Sequence, residues 1–190
     1  MTADSPPPSQ TGDWAGEHRL EVLLARPEVR SMVSACIQNS RGGMSAEEFL
    51  LRFANTLRVV PVPGLGNAFL RSAVRGRAAS LSRGLQTGKS RSAEFAAPIG
   101  HAITAVLCSL ARNSQAVTGT WQSEDGCILT ADIPSDRKTF GGVLTVEIGP
   151  TPAGTAIEAS ATIPGQRYDW GKSKKVLATL VADVPALLPR

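Results

Sequence analysis

The stretch VTGTWQSEDGCILTADIPSDRKTFGGVLTVEIGPTPAGTAIEASATI, residues 117–163, alternates apolar and polar residues through four short runs. Val117, Gly119 and Trp121 alternate with threonines and Gln122. Cys127, Leu129, Ala131 and Ile133 share a second period-two set, Leu144, Val146 and Ile148 a third, and Ile157, Ala159, Ala161 and Ile163 a fourth. A period of two places alternate side chains on one face of a strand. SEDG, SDRK and TPAG separate the runs at hairpin spacing, so the pattern predicts a four-stranded antiparallel meander. One apolar face implies a sheet covered on one side only.

The flanks supply the cover. From Ala93 to Asn113, Ile99, Ile103, Val106, Leu107 and Leu110 recur at helical spacing. After the last strand, Trp170, Leu177, Leu180, Val181 and Val184 form a second stripe, with Asp169 as its N-cap and Pro185 as its limit. Helix, four strands, helix is an α+β order in which both helices can lie on the apolar sheet face, giving an α-ββββ-α two-layer unit. Part of the helix-grip ligand-binding folds has a similar order, a likeness of topology without a shared residue motif.

The N-terminal half reads as helical. Residues 1–15 are rich in Pro, Ser and Thr and predict a disordered tail. A short helix follows over Glu17–Arg26. A second begins at Pro27 and carries Val29, Met32, Val33, Cys36 and Ile37. Ser45 and Glu48 form a capping box for a third, striped by Phe49, Leu50, Phe53, Leu57 and Val60. PVPGLG interrupts at 61–66. A fourth helical stretch, about 67–85, carries Phe69, Leu70, Ala73, Val74 and Leu81. The organisation is therefore a tail (1–15), a helical region (16–83), a polar basic linker (84–92) and an α+β domain (93–190).

Composition narrows the function classes. The chain has 190 residues, 42% of them hydrophobic but only 5% aromatic, so its core is aliphatic. Cys36, Cys108 and Cys127 are widely spaced, with no CxxC pair. They read as reduced, buried small hydrophobes, which favours a cytoplasmic setting. The N-terminus lacks the basic and apolar segments of a signal peptide. The longest uncharged run, 95–111, is shorter than the roughly 20 residues a membrane span needs.

Several motifs nearly match. GLQTGKS (84–90) resembles a phosphate-binding P-loop, but three residues rather than four separate its glycines, and no strand character precedes it. His101 and Cys108 lie on one side of a helix, two turns and thus roughly 10 Å apart, too far to share a metal or a proton. That side is expected to pack on the N-terminal helices. No GxSxG or HExxH occurs, and no catalytic residue, metal ligand or cofactor is assigned.

Two basic features remain. Between Arg58 and Arg112 eight Lys or Arg face a single acid, Glu94, although the whole chain is only +4. Arg71, Arg75, Arg77 and Arg83 decorate the fourth helical stretch, and Lys89 and Arg91 the linker. A basic amphipathic helix suits an acidic protein, a nucleic acid or an anionic membrane surface. The second feature is PGQRYDWGKSKK (164–175), where Arg167, Lys172, Lys174 and Lys175 crowd a helix start. Cations there oppose the helix dipole, which suggests a second anion site on the free N–H groups. Against that stands an exposed basic turn capped by Asp169 with Trp170 packed inward. The sequence thus points to a non-catalytic binding or regulatory protein for an anionic partner, with self-association as a further option. The alternative is a carrier of a small apolar ligand or lipid, held under the sheet where Ala131, Ala159 and Ala161 leave room.

Overall fold

All four alternating runs are strands, and a fifth joins them. The computed structural model describes residues 14–38, 40, 44–57, 86–165 and 168–189. Its elements are α1 (Leu20–Ala25), α2 (Pro27–Gln38), α3 (Ala46–Thr56), β1 (Gln86–Phe95), α4 (Ile99–Arg112), β2 (Val117–Gln122), β3 (Cys127–Ile133), β4 (Gly142–Thr151), β5 (Gly154–Pro164) and α5 (Lys172–Leu187). The sheet is antiparallel throughout, in the order β1-β5-β4-β3-β2. The α+β class holds. Among the described residues, no helix is long and apolar enough to cross a membrane.

The extra strand corrects the linker. Residues 86–92 of the supposed 84–92 linker pair with β5, Lys89 opposite Ala161 and Arg91 opposite Ala159. Residues 93–95, expected to open a helix, end the same strand, and α4 starts only at Ile99. Gly, Ser and Lys have low strand propensity, so β1 is held by its ladder rather than by its own side chains. Directly opposed residues point to one face, so Lys89 and Arg91 lie on the α5 side, at the rim of the sheet. Inward charges on an edge strand discourage pairing with another chain. Residues 1–13, the helical stretch 67–85 with Arg71, Arg75, Arg77 and Arg83, and Arg167 lie outside the described residues.

The inward sheet residues form the core. Leu129, Ala131, Leu144, Val146, Ile148, Ile157, Ala159 and Ala161 are all buried, under α4 and α5. Cα atoms of α5 come within 8 Å of those of β1 and β5, so the alanines of β5 serve close helix docking. Ser109 Oγ donates to Asp183 Oδ2 at 2.9 Å, tying α4 to α5. The other side of α4 packs on α2, and Leu20, Leu23, Val29, Val33, Ile37, Phe49 and Phe53 complete one continuous core. At α3, Ser45 Oγ accepts the Glu48 N–H at 3.0 Å, half of the capping box.

Three other expectations change. In β2 a bulge between Val117 and Gly119 adds one residue, so Trp121 stands opposite Ile128 on the outer face, half-buried, while Thr120 turns inward opposite Leu129. Trp14, assigned to the disordered tail, is instead half-buried, its ring 4.6 Å from that of His101. Pro185 does not limit α5 but lies inside its last turn.

Candidate functional site

At one end of the sheet β3 passes to β4 through residues 134–141, and β5 passes to α5 through residues 165–171. The SDRK turn is organised by Asp136. Its Oδ1 accepts the N–H groups of Lys138 and Thr139, each at 2.8 Å, the pattern of an Asx turn. Its Oδ2 lies 3.1 Å from Lys172 Nζ, which also donates to the Pro134 carbonyl, so the first residue of α5 fastens the turn in place. The Lys138 N–H above all, then Thr139 and Lys172, hold the Asp136 carboxyl well below the usual carboxylate range.

Asp169 organises the second loop and is 95% buried, at 5% exposure. Its Oδ1 accepts the Gly171 N–H at 3.0 Å and its Oδ2 the Ser173 N–H at 3.2 Å. Lys89 Nζ of the edge strand approaches to 3.9 Å. The Ser173 hydroxyl beside it lowers its pKa most, against the opposing effect of burial, and the two backbone N–H groups and Lys89 add to the lowering. Asp169 thus caps α5 from two residues upstream of Gly171, which takes φ +80°.

This arrangement bears on both options for the start of α5. The N–H groups of Gly171 and Ser173 already face a carboxylate, so an incoming anion there would meet Asp169 rather than free donors. The N-cap position falls to Gly171 rather than Asp169, whose carboxylate serves the helix start from two residues upstream, and Trp170 does not pack inward. Pinned between Asp169 and Gly171, Trp170 adopts φ +48° and is 78% exposed. A left-handed backbone is uncommon for a bulky residue and costs about 1–3 kcal/mol. Tyr168 is 76% exposed, and Phe140, whose ring lies against Gly165, is 60% exposed.

Between the two loops runs a groove of ≈ 440 Å³, lined by residues 136–139, Asp169, Trp170, Gly171, Lys172 and Lys175. Arg137, Lys138 and Lys175 have no acidic group within ion-pair distance among the described residues. The Thr139 hydroxyl is buried and lies beside the Asp136 carboxylate without hydrogen-bonding geometry to any partner. Chemically, the groove offers three uncompensated cations and an exposed indole.

Of the residues singled out in the sequence, Lys172 and Lys175 line this groove. Lys174 is exposed on the same first turn, and Lys89 reaches Asp169 from β1. Arg91 is exposed on the sheet rim. Sequence reading missed Arg137, Lys138 and Thr139, because SDRK reads as an ordinary turn and only strand order brings it to α5. Trp170 was noticed, but helical periodicity assigned it to the wrong side.

The remaining motifs resolve into structure. Residues 86–90 of the P-loop-like stretch are strand, not a phosphate-wrapping loop. The three cysteines are free thiols. The neighbouring Cys108 thiol, more than any other group, lowers Cys36 to about 7. That contact together with burial raises Cys108, and burial pushes Cys127 up to about 12. Among the described residues, no group of three or more His, Cys, Asp or Glu is placed to hold a metal ion. No family model, curated protein or solved structure matches the chain.

Proposed function

We propose that this chain is a non-catalytic binding or regulatory protein that engages an anionic partner, with the groove between the β3–β4 loop and the start of α5 as a contact surface. The observation that carries this reading is the set Arg137, Lys138 and Lys175 around one groove without acidic partners. Uncompensated cations on a concave surface raise the local concentration of anions. The arginines at 71, 75, 77 and 83 extend the same proposal to the basic segment beyond the described residues. Close docking of α5 on β1 and β5 fills the space that an apolar-ligand carrier would need beside Ala159 and Ala161, which favours the anionic partner over that alternative.

The test is the affinity of the full chain for inorganic polyphosphate at two salt concentrations. Two triple variants are compared with wild type: Arg137→Gln/Lys138→Gln/Lys175→Gln and Arg71→Gln/Arg75→Gln/Arg77→Gln. Binding should weaken steeply with salt, because bound cations displace condensed counterions. The groove variant should lose affinity and flatten the salt dependence. Salt-independent affinity, equal in all three proteins, contradicts the proposal.

A further inference from the structure

We infer that the groove and its aromatic rim bind single-stranded nucleic acid, bases stacking on Trp170 and Tyr168 while the phosphates lie along Arg137, Lys138 and Lys175. This rests on the anionic-partner reading and specifies its ligand.

Three observations beyond charge lead there. The first is the exposed aromatic rim. Trp170 and Tyr168 are more than three-quarters exposed and make no ring contact with any described residue. With Phe140 they place three aromatic side chains on the two loops that flank the cations. Aromatic platforms beside a basic groove are the recurring chemistry of single-strand recognition, since every base presents a π-face. A mononucleotide needs one platform, whereas this surface presents several.

The second observation is the cost of displaying the indole. Trp170 is held in a left-handed conformation that Gly or Asn would take with less strain. Asp169 is buried to hold that turn, accepting N–H groups on either side of Lys172. The local architecture thus turns a large ring into solvent that the helical stripe would otherwise have buried.

The third is the polar lining. The Asp136 carboxylate lines the groove and is exposed, and it accepts only. Base edges carry donors that can meet such an acceptor. A bilayer surface is a poorer match, because it would set its phosphates against Asp136 and cannot enter a recess. Duplex DNA keeps its bases stacked on one another and unavailable to Trp170 and Tyr168.

The experiment is fluorescence anisotropy with a labelled oligothymidine, alongside inorganic polyphosphate and vesicles of phosphatidylserine with phosphatidylcholine. Wild type, Trp170→Ala/Tyr168→Ala and Trp170→Phe/Tyr168→Phe are compared as full chains, with unfolding curves to confirm that each folds. The expected result is preference for the oligonucleotide over polyphosphate. The alanine pair should weaken oligonucleotide binding about tenfold or more and polyphosphate binding far less, and the phenylalanine pair should retain most of the affinity. If polyphosphate binds but the alanine pair leaves the oligonucleotide untouched, base stacking is wrong and the anionic-partner reading survives. Preference for vesicles also overturns the inference. No binding to any of the three removes both.

Discussion

Each end of the sheet joins hairpin connections to a strand-to-helix connection, yet one is sealed and the other open. At the sealed end, the β2–β3 turn and the β4–β5 turn are short, and backbone groups of the N-terminal segment are hydrogen-bonded to Gln122 at the end of β2 and to Gly100 at the start of α4. Gln122 Nε2 donates to the His18 carbonyl at 3.0 Å and to the Gly126 carbonyl at 2.7 Å, while its Oε1 accepts the Leu20 N–H at 3.2 Å. The Gly100 N–H donates to the Ala15 carbonyl at 2.7 Å, an approach so close that a Cβ at Gly100 would sit 2.2 Å from the Trp14 carbonyl oxygen. The charges at this end include Glu94, Glu124 and Asp125. At the open end the loops are longer, the charges are mainly basic, and the aromatic rings face outward. Turns at the first end are used to close the core. Loops at the second are pinned by buried or turn-forming aspartates so that their side chains stay available. Surface loops held by a rigid scaffold are where binding residues concentrate.

The largest test of this contrast is a glycine at each end. At the sealed end Gly154 has φ +146°, and a Cβ there would lie 2.2 Å from the Phe95 carbonyl oxygen. Gly154→Ala should destabilise by more than about 2 kcal/mol in urea unfolding, from backbone strain and the clash together. At the open end Gly171 has φ +80° with nothing within 4 Å of a Cβ. Gly171→Ala should therefore cost only about 1 kcal/mol, the left-handed penalty alone. Equal costs would mean that the two ends are not packed differently.

Next in size is Asp169. Asp169→Ala removes the cap of α5 and should cost about 1–2 kcal/mol. Its folded pKa is depressed, so its stabilisation is present above the unfolded value, near 3.8, and is lost as pH falls through the folded one. Asp169→Asn should accordingly flatten the decline of stability as pH falls below about 4. Glu17, lowered to about 2 from 4.5 chiefly by the Arg19 side chain, titrates in the same direction. Its contribution fades as pH falls from 4.5 toward 2 and should persist in the Asp169→Asn protein, which separates the two ends in one titration series.

A smaller effect, of opposite sign, is expected at Trp170. Trp170→Asn suits a left-handed backbone and removes an exposed ring, so the protein should gain up to about 1 kcal/mol in thermal or urea unfolding. A loss instead would show that the indole is part of the fold. Smallest of all, Arg137→Gln/Lys138→Gln/Lys175→Gln should shift stability by less than about 0.5 kcal/mol, since exposed charges without partners contribute little to folding.

How much of this was legible in the chain varies element by element. β3, β4 and β5 were readable because their apolar period of two runs without interruption, from Cys127 to Ile133 and from Leu144 to Ile148. β2 was readable as a strand, but its inward face was not, because one bulged residue reverses every side chain after it. β1 was hidden by its own edge chemistry: Gly88, Lys89, Ser90 and Arg91 resemble a linker to any composition rule. Of the site, Lys172, Lys174 and Lys175 stood out as cations at a helix start, while Arg137 and Lys138 carried no local sign of belonging with them.

The sequence by itself determined the α+β class, the aliphatic core and the basic start of α5, because these depend on periodicity and composition over neighbouring residues. Tertiary structure decided what depends on residues distant along the chain. It made 86–95 a strand by giving it β5 as a partner. It brought the 136–139 turn to α5 through the Lys172–Asp136 ion pair. Locally but beyond the reach of periodicity, the Asp169 cap turned Trp170 outward through a left-handed backbone. Pairing energy, ion pairing and cap geometry each need a second group whose position no window along the chain contains.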